Sequence, residues 1–248
     1  MNVFQIFLCD PDKLQINLTQ CAGVFAAKKK AVLDVYGDCN YQLYTNPEAQ
    51  EFLKKFGRET LTAFNSLASY AFRADLLRYC LLYEYGGWYF DQSIIPVVKV
   101  EPTTKNIVFL SRPGKYFENM NLYSCGREPF YEKVINAVVA NIKKRSYGDP
   151  LRYGGQASLN ITGPLFVRNV YIKYLTQDAS RQATEIRNRF AFGEYYRPDN
   201  LKGHLTLGGK LVAIYGKDDT QFGRIDYMGF VGTNDYNKLC LSKAVYIN

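Results

Sequence analysis

The chain has a single histidine, His204, and six cysteines, at 9, 21, 39, 80, 125 and 240, none of them in a C-x-x-C pair. Structural zinc needs clustered thiolate and imidazole ligands, so this spacing argues against a zinc site. It also argues against a disulfide framework in a chain of this length, and the cysteines read as reduced, mostly core residues. No apolar run approaches the roughly 18 residues that cross a bilayer. The N-terminus MNVFQIFLCD lacks a basic region, a long apolar stretch and a cleavage site, so the expectation is a cytoplasmic protein. No Pro/Ser-rich or low-complexity segment divides the chain, and no repeat of solenoid period is found. The Ser, Asp and Glu residues show no triad spacing, so no enzymic nucleophile stands out.

What is present is apolar and aromatic. With 47% hydrophobic residues, 21 tyrosines and 16 phenylalanines, 248 residues readily bury a full core, and the reading is one domain over 1–248. The formal charge of +8 attracts polyanions in general. Its two compact runs, Lys28-Lys29-Lys30 and Lys143-Lys144-Arg145, read as solvated helix ends, and no nucleic-acid motif accompanies them. No nucleic-acid partner is expected. Peripheral contact with an anionic membrane face, or attraction of phosphate-bearing substrates, suits the charge equally.

Val3 to Leu8 reads as a buried strand, Cys21 to Val35 as a helix, Tyr41 to Tyr44 as a second strand, and Asn46-Pro47-Glu48 as a capped helix start. This β-α-β-α order predicts parallel pairing in one sheet. Asn106 to Ser111 is a further strand and Pro129 to Arg145 a further helix. Leu205-Thr206-Leu207 and Leu211 to Tyr215 flank Gly208-Gly209 as a hairpin.

The most informative stretch is Ser69 to Pro96, SYAFRADLLRYCLLYEYGGWYFDQSIIP. Tyr70, Ala71, Ala74, Leu77, Leu81 and Leu82 recur at helical steps, so one face of a helix is buried. Gly86-Gly87 ends it, Trp88-Tyr89-Phe90 follows as a strand, and Pro96 stops that strand from being interior. Asp91 therefore falls in the loop beyond a strand's carboxyl end, where open α/β sheets bind ligands. Asp75 and Arg78, three apart on the helix, can pair with each other at a surface or be shared with a ligand.

Asp75-x-x-Arg78 followed by Leu82-Tyr83-x-Tyr85-Gly86-Gly87-x-Tyr89-x-Asp91 resembles the sugar-donor region of glycosyltransferase family 32, and more distantly the glucosylating toxins. The departure is at position 93, where Ser93 stands in place of the second acid of the Asp-x-Asp pair. Thr162-Gly163-Pro164 resembles a tripeptide found later in the same family. The resemblance implies a GT-A fold: α/β, Rossmann-like, with a mixed, mostly parallel sheet flanked by helices. It implies sugar transfer from a nucleotide-sugar donor, UDP-sugar favoured, to a glycan or lipid-linked acceptor hydroxyl, with retained anomeric configuration. Surface polysaccharide assembly, capsule or lipopolysaccharide, follows by analogy, at the inner face of the membrane. The alternative is a catalytically degenerate nucleotide-sugar-binding protein.

By the same resemblance, Asp75 and Arg78 grip the donor and Asp91 holds ribose, metal or both. Gln5, Ser93, Thr162 and Gly163 complete the donor-binding set. The implied cofactor is a divalent cation, Mn²⁺ or Mg²⁺, held by Asp91. His204 stands where such enzymes often add a late histidine, with a structural role at a strand start as the competing reading. Asn234 or Asp235, in the polar tail after Asp226, would supply the hard oxygen ligands that Ser93 lacks, and a solvated turn is the competing reading there.

Overall fold

The computed structural model describes residues 1–9, 18–111, 116–176, 184, 188–197, 202–215 and 236–247. It opens with strand β1 (Asn2–Ile6), helix α1 (Leu18–Tyr36) and strand β2 (Asn40–Tyr44). β1 and β2 pair in parallel from Asn2↔Asn40 to Ile6↔Tyr44, as a helical crossover between consecutive strands permits. Helix α2 (Asn46–Leu53) starts one residue earlier than its proline spacing indicates. Thr45 is the capping residue, and the Glu48 carboxylate accepts from its backbone N–H at 3.0 Å.

Helices α3 (Gly57–Ser66) and α4 (Tyr70–Tyr85) follow, then strand β3 (Gly87–Phe90). Ser69 Oγ accepts from Ala71 N–H at the start of α4, and Gly86, with φ +62°, ends it. Gly87 has φ +101°, and a Cβ there would lie 2.3 Å from the Asn2 carbonyl oxygen. Only glycine lets β3 begin this close to β1. The pairs Val3↔Trp88 and Phe4↔Tyr89 then run in parallel.

The remaining elements are β4 (Ile94–Pro96), β5 (Asn106–Ser111), β6 (Phe117–Ser124), α5 (Pro129–Lys143), α6 (Pro150–Tyr153), α7 (Pro164–Thr176), β7 (Phe190–Tyr196), β8 (Gly203–Leu207), β9 (Lys210–Tyr215) and α8 (Tyr236–Leu241). They make one mixed sheet in the order β2-β1-β3-β6-β5-β7-β8-β9-β4. The parallel pairing read from the β-α-β order holds for β2-β1-β3 and for β5-β7, and the other neighbours are antiparallel. The expected hairpin joins β8 to β9 through Gly208-Gly209.

β3 and β4 are separated only by Asp91-Gln92-Ser93, yet they are third and ninth in the sheet. The sheet must therefore curl until its far edge returns beside the end of β3. Val3, Trp88, Phe90, Ile94, Phe109, Leu205 and Ala213 fill the inside of the curl, with Val32 and Tyr36 from α1. The opposite face packs Phe4, Tyr89 and Leu122 against α2 to α5 and α7.

Three expectations change. α4 is buried almost all round from Phe72 to Leu82, not on one face, because it lies between the sheet and α5. Each fully buried leucine there contributes about 1.5–3 kcal/mol. Lys28-Lys29-Lys30 lies mid-helix in α1, and Lys28 is only 5% exposed. Among the described cysteines, Cys80 and Cys240 are buried, Cys9 and Cys39 half-buried, and Cys125 exposed. No described helix is long and apolar enough to cross a membrane.

Candidate active site

Asp75 projects from the second turn of α4 and is buried, as is Arg78. Arg78 Nη2 meets Asp75 Oδ1 at 3.2 Å, so the helical spacing produces an internal ion pair and not a surface one. Two more donors converge on the carboxylate. Asn119 Nδ2 donates to Oδ1 at 2.6 Å and the Thr162 hydroxyl to Oδ2 at 2.8 Å. A buried charge requires this kind of saturation, since an unpaired carboxylate out of water is very costly. Burial nevertheless pushes the Asp75 carboxyl up to about 6, against the pull of Arg78, Thr162 and Asn119, and nearby Asp91 adds to the rise.

Arg78 is fixed on the other side as well. Its Nη1 donates to the Asn119 carbonyl at 2.6 Å and its Nε to the Ala74 carbonyl at 3.1 Å. The guanidinium lies 4.5 Å from the centre of the Tyr89 ring, a cation–π arrangement inside the fold. Tyr89 Oη donates to Asp91 Oδ1 at 3.0 Å. Asp75, Arg78 and Asp91 are thus joined in one chain of contacts through Tyr89. Asp91 alone of the three is only half-buried, in the turn after β3. That turn is closed by Ile94 N–H to Asp91 C=O at 2.9 Å, and Asp91 N–H donates back to Met120 C=O at 2.7 Å.

Thr162 and Gly163 come from the segment before α7. Thr162 is fully buried, its carbonyl accepts from Tyr79 Oη at 2.9 Å, and its hydroxyl is committed to Asp75. A Cβ on Gly163 would lie 3.3 Å from the Leu159 carbonyl oxygen and 3.4 Å from Asp75 Oδ2, so its backbone packs close to the carboxylate. Both residues therefore brace Asp75 from behind.

Gln5 is not part of this cluster. It is fully buried, and strand alternation puts it on the α1 side of β1 with Val3, where its Oε1 accepts from Tyr41 Oη at 2.7 Å. His204 packs edge-on against Tyr196 between β7 and β8, its structural reading. Ser93 is half-buried in the Asp91 turn. Asn234 and Asp235 lie outside the described residues.

Sequence reasoning missed Asn119 and with it β6, and made no assignment for Glu118-Asn119-Met120-Asn121. The register against β5 steps from Val108↔Leu122 to Phe109↔Glu118, leaving residues 119–121 without β5 partners. Such a bulge re-aims a side chain, and here Asn119 reaches both Asp75 and Arg78. Tyr89 was read only as a strand former, although its two-residue spacing from Asp91 put both on one face of the strand.

A divalent ion takes a shell of hard oxygens, carboxylates foremost. Among the described residues no group of three or more His, Cys, Asp or Glu gathers. Asp91 offers one carboxylate, and the Lys28 ammonium donates to the Gln92 carbonyl in the same turn. The described residues alone therefore do not fit a divalent-cation site.

Residues 16–110 match the model of a family described as the glycosyltransferase sugar-binding region containing a DXD motif. The mannosyl phosphorylinositol ceramide synthase CSH1 of Saccharomyces cerevisiae is 30% identical over 147 residues, 59% of this chain and 38% of that protein. The inositol phosphoceramide mannosyltransferase 3 of Schizosaccharomyces pombe is 27% identical over 145 residues, 58% of this chain and 39% of that protein. The chain thus spans less than two fifths of these relatives' length. Among solved structures, the PaToxG glycosyltransferase superposes with a TM-score of 0.42 at 17% identity, covering 75% of this chain and 73% of that one. The ligand-free glycosyltransferase domain from the YGT toxin gives 0.42 at 10% identity, covering 71% and 56%.

Proposed function

We propose that this chain is a single glycosyltransferase domain that moves a hexosyl group from a nucleotide sugar to an acceptor hydroxyl. The observation that carries the reading is the contact chain from Asp75 through Arg78 and Tyr89 to Asp91, which ends in a half-buried turn at the carboxyl end of β3. It lies within the stretch that matches the sugar-binding region.

In such a transfer the anomeric carbon gains positive character while the diphosphate leaves with added negative charge. The network supports this by orientation. Asp91 is held by Tyr89 and by the strand hydrogen bond to Met120, so it presents a carboxylate oxygen toward the donor without a search for its rotamer. Asp75 and Arg78 are positioning residues that fix Tyr89 and Asn119 around it. The family expectation of retained configuration is kept. A divalent ion, Mn²⁺ or Mg²⁺, would need Asp91 together with ligands from outside the described residues.

The named relatives are a mannosyl phosphorylinositol ceramide synthase and an inositol phosphoceramide mannosyltransferase. A mannosyl donor and a lipid-linked acceptor with an anionic headgroup are therefore favoured over a capsule or lipopolysaccharide acceptor. The net charge of +8 suits peripheral contact with such a surface.

The second reading, a nucleotide-sugar-binding protein without turnover, is favoured by Ser93 in place of the second acid. A thermal-shift panel of UDP-, GDP- and CDP-sugars comes first, because a ligand selective for the native state raises the melting temperature. Incubation of the best donor with phosphoinositol lipid or oligosaccharide acceptors follows. A shift with a glycosylated product supports transfer, a shift without product supports the binding protein, and no shift with any donor sinks both.

A further inference from the structure

Glu118 and Asn119 stand side by side at the bulge of β6 and point to opposite faces of the sheet. Asn119 reaches Asp75 on the α4 face. Glu118 is paired with Phe109 of β5, and directly opposite residues of antiparallel strands share a face. Phe109 belongs to the core inside the curl, so Glu118 points there as well. It is half-buried. Among the described residues its carboxylate has no hydrogen-bond or ion-pair partner, although Arg197 is near enough to favour the charged form. Burial outweighs that pull and pushes the carboxyl up to about 7.

Arg197 Nε donates to Tyr195 Oη at 2.8 Å, and its guanidinium lies 5.0 Å from the centre of the Tyr215 ring. Both tyrosines pack on the inner core. Tyr215 pairs with Ile94, the first residue after the Asp91-Gln92-Ser93 turn. On β6, the Met120 carbonyl, two residues from Glu118, accepts from Asp91 N–H at 2.7 Å. Glu118 and Tyr215 therefore flank the Asp91 turn from β6 and β9, on the face away from Asp75. A fold gains nothing from a half-desolvated carboxylate that lacks a donor, so such a group calls for donors from a ligand. Its two oxygens offer about four lone-pair sites, which suits neighbouring hydroxyls. Transfer also needs an acceptor hydroxyl to reach the anomeric carbon from a side the donor leaves open, and the donor-side network occupies the α4 face.

We infer that Glu118 binds the acceptor, accepting hydrogen bonds from the hydroxyl groups of a cyclic polyol, an inositol or sugar ring, that enters the inside of the curl beside the Asp91-Gln92-Ser93 turn. The inference rests on the transferase reading above and deepens it by giving one edge of the sheet two binding faces. Asp91 and the Asp75 network serve the donor, and Glu118 serves the acceptor.

The test compares ligand binding by the wild-type chain and by Glu118→Gln, which keeps the shape and removes the charge. Saturation-transfer NMR titrations follow myo-inositol, inositol 1-phosphate, methyl α-mannoside and lactose, each with UDP or GDP and Mn²⁺ present. Titration calorimetry follows the two nucleotides alone. The expected result is that wild type binds at least one polyol, that Glu118→Gln weakens it about 10-fold, the loss expected when a neutral acceptor replaces a charged one, and that nucleotide affinity is unchanged. A response to the inositols identifies a lipid headgroup as the acceptor, and a response to the saccharides a glycan. Melting at about pH 8 separates binding from a structural role, because Glu118→Gln removes a desolvated charge and should melt at or above the wild-type temperature. No polyol bound by a wild type that binds nucleotide, equal polyol affinity in the variant, an equal loss of nucleotide affinity, or lower melting of the variant overturns the role of Glu118 and leaves the transferase reading standing. Failure of both UDP and GDP to bind overturns that reading, and this inference with it.

Discussion

The Thr162 hydroxyl donates to Asp75 Oδ2 at 2.8 Å across 87 positions of sequence. Asn119, 44 positions from Asp75, holds the other oxygen at 2.6 Å. A helix, a bulged strand and a pre-helix loop thus meet on one carboxylate, and three elements are tied at a single group.

Asp91 is the exposed end of that network. Asp91→Asn is expected to lower transfer by on the order of 100-fold or more, the scale of losing one preorganised polar group at a reacting centre. The circular dichroism spectrum and melting temperature should stay near wild type, since among the described residues the side chain has a single hydrogen bond, to Tyr89. Wild-type turnover in a folded Asp91→Asn chain would remove the basis for this site.

The Asp75–Arg78 pair separates stability from activity. Arg78→Met leaves a buried carboxylate short of its cation and should cost roughly 3–5 kcal/mol in urea unfolding. Asp75→Asn with Arg78→Met removes both charges and should regain much of that loss while transfer stays low. Simple addition of the two single-variant costs would show that the residues act independently.

A pH dependence follows from the burial of Asp75, which raises its carboxyl to about 6. The unfolded carboxyl titrates near 3.9, so between about 4 and 6 the folded chain holds a proton that the unfolded chain has released. This group's contribution to stability is therefore full below about 4 and is lost as pH rises through about 6. Donor binding runs the other way, because the network that orients Asn119 and Arg78 needs the carboxylate. Donor affinity, followed by thermal shift, should fall as pH drops through about 6, and Asp75→Asn should lack that limb. The same limb in the variant would assign the titration to another group.

Two glycines that both have positive φ should differ in tolerance. Gly87→Ala adds a Cβ 2.3 Å from the Asn2 carbonyl at φ +101°, so β3 must shift off β1. Gly154, at φ +54° and ψ −132°, has open space around it, and Gly154→Ala should carry only the backbone cost of this glycine-favoured conformation, about 1–3 kcal/mol, with no clash. Melting curves should show Gly87→Ala far below Gly154→Ala, and equal melting would mean that the β1–β3 junction is less tight than its geometry.

Much of the frame was legible because its signals are local. Asn106 to Ser111 forms the strand its apolar run predicts, and Pro129 starts a helix as expected, although that helix ends at Lys143 and not at Arg145. Arg145 has already turned to φ +49°. β6 was not legible, since two asparagines and a glutamate give no alternation. Lys28 was misread because a run of three lysines looks solvated as a group, while on a helix the three side chains point about 100° apart and one of them can face the interior.

The sequence by itself determined the helix, the two-glycine stop and the strand that carries Asp91 to a turn, because periodicity, capping and glycine conformation act within a few residues of one another. It also placed Asp75 and Arg78 one helical step apart. Only the tertiary structure decided that this pair is internal, that Thr162 and Asn119 saturate Asp75, that Tyr89 links the pair to Asp91, and that Lys28 reaches the same turn from α1. Those contacts depend on how a curled sheet brings distant segments together and on a bulge that redirects one strand, and neither is encoded in the spacing of nearby residues.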